Sequence, residues 1–123
     1  MRSHELGRRA ELAVSDYLFA RGFELLACNL RRGHLEIDLV ARQGALVVAT
    51  EVRTRGAGSF VGAFASVTRT KRDRLRAALE RLWHQRLARM PGVDRVRVDV
   101  AAVTFRGQQT LVDYVDDAFA FVA

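Results

Sequence analysis

The chain has 123 residues and a formal net charge of +6, with an isoelectric point near 10.9, and half of its residues are hydrophobic. That length fits one domain, 1–123, and that apolar share supports a packed core. The charge favours an anionic partner, nucleic acid being the usual one, although a merely basic surface accounts for it equally well. Cys28 is the single cysteine, which excludes an internal disulfide and a thiolate metal cluster. Its apolar neighbours suggest a buried small hydrophobe. The longest apolar stretches are of strand length and no signal-peptide pattern appears, so a soluble cytoplasmic protein with no membrane span is expected.

Almost all of the positive charge is arginine, and Lys71 is the only lysine. Arginine suits phosphate through its planar fork of donors. A compositional bias toward arginine explains scattered arginines just as well, so the lone lysine is the informative residue.

Taken in chain order, residues 4–21 carry Leu6, Ala10, Ala13, Val14, Tyr17 and Leu18 at helical spacing, and Gly22 reads as the C-cap. Residues 23–30 form a short apolar run expected to be a strand. Residues 35–41 and 46–53 are expected to be two strands of a hairpin closed by Gln43-Gly44-Ala45. Gly56-Ala57-Gly58-Ser59 reads as a loop. Thr70 is the expected N-cap of a long helix running to about Arg89, with Leu75, Ala78, Leu79 and Leu82 on one face. Pro91-Gly92 ends it. Strands follow at 96–105 and 110–115, and Asp116 is expected to cap a last helical turn through Ala120. The order α-β-β-β-α-β-β describes an α/β fold, a sheet with helices covering its valine-rich middle strands.

Alternation along a strand puts Glu36 and Asp38 on one face, and Glu51 and Arg53 on one face. A two-residue turn at Gln43-Gly44 sets Glu36 opposite Glu51, whereas a turn at Gly44-Ala45 sets Asp38 opposite Glu51. Either register makes the four residues co-facial and leaves Leu35, Ile37, Leu39 and Ala41 against Leu46, Val48, Thr50 and Val52 on a core face. Like charges opposed across a sheet are destabilising, so such a cluster calls for a compensating cation. A hard divalent ion such as Mg²⁺ is one candidate, since it takes oxygen ligands and joins carboxylates to phosphate. Neighbouring arginines, Arg53 or Arg42, are the other. Glu11, on the row Gly7, Glu11, Val14, Leu18, could lean over the end of the sheet, although from spacing alone it reads as a solvated helix residue.

The run Gly7-Arg8-Arg9-Ala10-Glu11-Leu12-Ala13, then Asn29-Leu30-Arg31, Glu36-Ile37-Asp38-Leu39-Val40-Ala41, Glu51-Val52-Arg53-Thr54-Arg55, Lys71, Arg97-Val98-Asp99-Val100 and Ala118-Phe119, resembles in order the YraN-type family of uncharacterised bacterial endonuclease-like proteins. The resemblance spans nearly the whole chain. Each motif is weak alone, while the ordered set is specific. It implies kinship with Holliday junction resolvases and a restriction-endonuclease-like mixed sheet flanked by helices, the PD-(D/E)XK fold. It implies Mg²⁺ at Asp38 and Glu51, with Glu11 assisting, and a catalytic lysine at the position of Arg53. Dimeric action is implied in the same way.

Leu35 and Ala10 stand where the family usually has glycine. Arg53 is the weightier departure, because arginine keeps the charge but cannot give up its proton. It could still steady charge on a phosphoryl group. Lys71 matches a lysine of the family pattern and is expected to contact phosphate, aided by the positive end of the helix. Arg55, Arg72 and Arg74 are the further candidates for nucleic-acid contact. The histidines are scattered and suggest no metal site, and Trp83 reads as core or interface.

The expected function is a Mg²⁺-dependent DNA endonuclease acting on branched or otherwise structured DNA, possible as a homodimer. Two alternatives stand beside it. One is a DNA-binding domain that keeps the fold without turnover, and the other is a basic adaptor for an acidic protein.

Overall fold

The computed structural model describes residues 3–55 and 68–119. The first helix, α1, spans Ser3–Ala20. Its end is a Schellman arrangement: Gly22 N–H donates to Phe19 O and Phe23 N–H to Leu18 O, both at 3.0 Å. Gly22 has a φ of +87°, which glycine adopts without a side-chain clash. Phe23 and Leu18 then join the same apolar cluster, so the expected cap also steers the chain into the sheet.

Three strands follow, β1 (Glu24–Arg32), β2 (Leu35–Gln43) and β3 (Leu46–Arg55), then helix α2 (Arg69–Gln85), a single 3-10 turn (Leu87–Arg89), and strands β4 (Arg95–Arg106) and β5 (Gln109–Phe119). The five strands lie in chain order in one sheet. β3 and β4 are parallel, and the other neighbours are antiparallel. A parallel pair needs a crossover, and α2 lies in it. The element order expected from sequence is the one observed. The glycine run 56–59 lies outside the described residues.

Among the described residues, each face of the sheet is covered by one helix. Leu75, Ala78, Leu79 and Leu82 of α2 pack with Val47, Ala49, Val98, Val100 and Ala102. Ala10, Val14 and Leu18 of α1 pack with Val48, Ala101 and Val103 on the opposite face. Strands covered on both sides read as unbroken apolar runs, which is why β3 and β4 are valine-rich. Trp83 packs, partly buried, against the α2 cluster. Cys28 does not follow expectation. It lies on β1 at the sheet edge and is exposed, because the edge position leaves its flank uncovered.

The long helix also differs from its expected bounds. Its N-cap is Thr68, not Thr70, and the Thr68 hydroxyl accepts from Lys71 N–H at 3.2 Å. Two threonines at this spacing offer the same signal, and the cap geometry goes to the one whose backbone stays extended. The α-helix stops at Gln85, and the 3-10 turn carries the chain to Arg89.

Asp116 caps no helical turn. β5 runs on to Phe119, Val100 pairs with Val115, and Val98 pairs with Phe119. Residues 116–118 therefore bulge opposite Asp99. Asp117 turns through a φ of +50°, and its N–H donates to Asp99 Oδ1 at 2.8 Å. Arg97 grips the same carboxylate with both arms of its guanidinium, at 2.8 and 3.0 Å. Tyr114 Oη donates to Asp99 Oδ2 at 2.6 Å and lies 2.9 Å from Thr50 Oγ1. Asp99 is fully buried. Its hydrogen bonds hold the Arg97 guanidinium well protonated, while burial and the Asp99 charge push the Tyr114 hydroxyl far up. A buried anion with four donors is stable where a truncated one is not. Asp99→Ala, which strands Arg97, is expected to cost about 3–5 kcal/mol, read as a lower urea midpoint at unchanged slope.

Candidate functional site

The hairpin joining β2 and β3 turns on Gly44 and Ala45, since Gln43 pairs with Leu46. Gly44 has a φ of +59°, the positive value that a tight hairpin needs at its first central position. Of the two registers open from sequence, this is the one that carries Asp38 opposite Glu51.

The ladder, however, stops one step short of that pair, at Leu39 and Thr50. Beyond it the strands part, and Asp38 Oδ2 accepts the Val52 N–H at 2.8 Å. The side chains of β2 also change faces here. Ile37 belongs to the α2 cluster, whereas Leu39 and Ala41 belong to the α1 cluster. The expected common core face of Leu35, Ile37, Leu39 and Ala41 is therefore divided at Asp38. Across the divide on β1, Asn29 adopts a φ of +50°, a value asparagine tolerates better than most residues.

Glu51 is nearly inaccessible, at 1% exposure. Its neighbour two residues back, Ala49, packs under α2, and Glu51 accordingly meets Lys71 from that helix. Lys71 Nζ lies 3.4 Å from Glu51 Oε1, and Arg53 Nη1 lies 3.8 Å from the same oxygen. Glu51 Oε2 is buried with no hydrogen-bond partner. Burial, then the nearby Asp38 charge, push the Glu51 carboxyl up to about 7, against the opposing pull of Lys71. The close approach of Asp38 further favours its protonated form.

Glu11 reaches the cluster from α1. Asn29 Nδ2 donates to Glu11 Oε1 at 3.2 Å. Partial burial raises the Glu11 carboxyl, and the charges of Asp38 and Glu36 add to the effect. Glu36 lines a cleft of about 380 Å³ with Gly7, Arg8, Glu11, Asn29 and Arg31. The half-turn at Asp38 means that Glu36 does not share a face with Glu51 in the manner strict alternation requires. Glu11 instead lies near Asp38 and Glu36, and Asp38 in turn lies near Glu51.

The basic candidates separate into two groups. Lys71 and Arg74 line a pocket beside the carboxylates. Arg72 lies in a different hollow with Arg69, Asp73 and Arg76. Arg55 ends β3, and its side chain lies outside the described residues. Sequence reasoning did not single out Asn29 as the partner of Glu11, nor Lys71 as the partner of Glu51. A positive φ inside a strand leaves no mark in the hydrophobic pattern, and the Lys71 contact depends on where the crossover places α2. The only lysine of the chain was nonetheless a visible signal.

A divalent ion suits this donor set. The unpartnered Glu51 oxygen and the adjacent Asp38 carboxylate are hard oxygen donors. Among the described residues no group of three His, Cys, Asp or Glu side chains forms a ready-made cage. Mg²⁺ seldom needs one, because one or two carboxylates commonly hold it together with waters and substrate phosphate.

The described residues thus form a mixed-sheet α/β fold with two neighbouring carboxylates, Asp38 and Glu51, where β2 and β3 part. A profile of the uncharacterised protein family UPF0102 matches residues 10–103, and the chain belongs to that family. The UPF0102 protein sce2912 of Sorangium cellulosum (strain So ce56) is 54% identical over 100 residues, covering 81% of this chain and 69% of the relative. A UPF0102 protein of Alkalilimnicola ehrlichii is 43% identical over 105 residues, covering 85% and 80%. The UPF0102 protein YraN of Salmonella newport (strain SL254) is 37% identical over 116 residues, covering 94% and 84%. The resemblance to the YraN-type family expected from the motifs is therefore shown.

The raised Glu51 carboxyl makes a prediction with a definite sign. Its folded value, about 7, lies above the ordinary 4.5. Folded protein thus binds the proton more tightly than unfolded chain, and the associated stability is complete at low pH and lost as pH rises through 7. Glu51→Gln, which mimics the protonated form, is expected to stabilise the chain at pH 8 by on the order of 1–3 kcal/mol. The gain should shrink toward zero near pH 4.5. Thermal melts of both proteins in a chelator across that range provide the check.

Proposed function

We propose that this protein is a Mg²⁺-dependent, structure-specific DNA endonuclease of the cytoplasm that hydrolyses phosphodiester bonds. The observation that carries the reading is the buried Glu51 carboxylate beside Asp38, with one oxygen left without a partner and a lysine and an arginine at the other. A buried acid so incompletely satisfied costs stability, and a cation that completes it would offset that cost. The net charge of +6 favours a polyanionic substrate.

Asp38 and Glu51 would hold the ion, which when bound would supply positive charge to the reacting phosphoryl group and make water more acidic. Val52 N–H fixes Asp38 in the gap, so its carboxylate is oriented before substrate arrives. Asn29 of β1 does the same for Glu11 of α1. Glu11 faces Asp38 from α1, its carboxyl raised by burial. Lys71 and Arg53, drawn together by Glu51, would bind the non-bridging oxygens of the phosphate. In that arrangement an ammonium is present although position 53 holds arginine.

Arg53 itself supports a second reading, a DNA-binding domain without turnover, because a guanidinium cannot lose its proton as an amine can. Cleavage assays on four-way junction, flap and linear DNA, with and without Mg²⁺, separate the two. The expected outcome is Mg²⁺-dependent cutting of branched DNA that falls at least about 100-fold in Asp38→Ala. Equal cutting by both proteins refutes the nuclease reading. Salt-sensitive binding with no cutting selects the second reading.

A further inference from the structure

Beside the carboxylates, between the β1–β2 hairpin and α2, lies a pocket of about 210 Å³ lined by His34, Leu35, Glu36, Lys71, Arg74 and Leu75. His34, Lys71 and Arg74 bring nitrogen donors to it from two elements far apart in the chain. Gly33 has a φ of +68°, which makes the tight turn that delivers His34. Lys71 belongs both to this pocket and to the Glu51 contact at 3.4 Å, and its side chain is still 41% exposed. Its ammonium has three donors, so the ion pair with Glu51 leaves capacity for an anion in the pocket. Leu35 and Leu75 supply an apolar wall, which lowers the local dielectric and strengthens charge-assisted bonds.

We propose that this pocket binds a second phosphate of the nucleic-acid strand, next to the phosphate at Asp38 and Glu51. His34 and Arg74 are its binding residues, and Lys71 is shared between the two phosphates. The proposal rests on the nucleic-acid reading above and adds a site and a histidine to it. Glu36 lines the same pocket with the opposite charge, and it therefore limits how tightly an anion is held there. Removing a donor and removing Glu36 must then act in opposite directions, which a loss of fold would not produce.

The test is fluorescence anisotropy of the full chain with a labelled forked DNA duplex, in a chelator and over a series of salt concentrations. Arg74→Gln and His34→Gln are expected to weaken binding about 5- to 10-fold, and Arg74→Gln to reduce the salt slope by about 1. Glu36→Gln is expected to tighten binding. Arg76→Gln carries the same charge change on the same helix but lines the other hollow, and it is expected to weaken binding no more than about twofold. The same series on 5′-hydroxyl and 5′-phosphate DNA separates the sources of phosphate. Equal losses on both assign an internal phosphodiester, and losses confined to the 5′-phosphate form assign a strand end. If wild type binds but Arg74→Gln matches Arg76→Gln, or Glu36→Gln does not tighten binding, the pocket is not a phosphate site and the nucleic-acid reading stands. If wild type fails to bind at low salt, both fall together.

Discussion

The Asp38 carboxylate does the work of a backbone carbonyl. By accepting the Val52 N–H it ends the β2–β3 ladder without leaving a buried donor unsatisfied. The strands can then part, and the Glu51 and Glu11 carboxylates lie near Asp38. A side chain without an acceptor at this position would leave Val52 N–H stranded or pull the strands together. The acid is thus both a part of the sheet and a part of the site, and its orientation is set by the fold rather than by a ligand.

Two buried carboxylates in neighbouring strands show what distinguishes structure from chemistry here. Asp99 on β4 receives four donors on its two oxygens, from Arg97, Tyr114 and the Asp117 backbone. Nothing is left for a ligand to do. Glu51 on β3 is about as inaccessible, yet among the described residues one oxygen has only the looser approaches of Lys71 and Arg53, and the other has no partner. The difference lies in the neighbours. Asp99 sits opposite a bulge that turns a backbone N–H toward it, whereas Glu51 sits at the gap opened by Asp38, next to a second acid. Incomplete satisfaction at one buried acid, in a sheet that satisfies the other fully, is a local property of the gap.

Much of this was legible in the sequence. The valine runs of β3 and β4 announced strands covered on both faces, and Gly22 announced the end of α1. The Gly44-Ala45 turn was one of two registers that alternation allowed, and it is the one that aligns Asp38 with Glu51. What alternation could not reveal is its own failure at Asp38, because the half-turn follows from a side-chain-to-backbone bond between strands. The bulge at residues 116–118 was hidden for the same reason: Asp116 looks like a cap until Asp99 is seen to take the next N–H. Cys28 was misjudged because apolar neighbours in sequence do not tell an edge strand from a central one. The approach of Lys71 to Glu51 required the crossover geometry.

The placement of Lys71 has a consequence for reagents. Its amine is the only one carried by a side chain in this protein, and it stands against Glu51 with part of its surface open. Amine-directed acylation therefore has one internal target, and that target lies in the acidic gap. The rate of its modification becomes a direct gauge of what occupies the gap, with no tag or engineered probe.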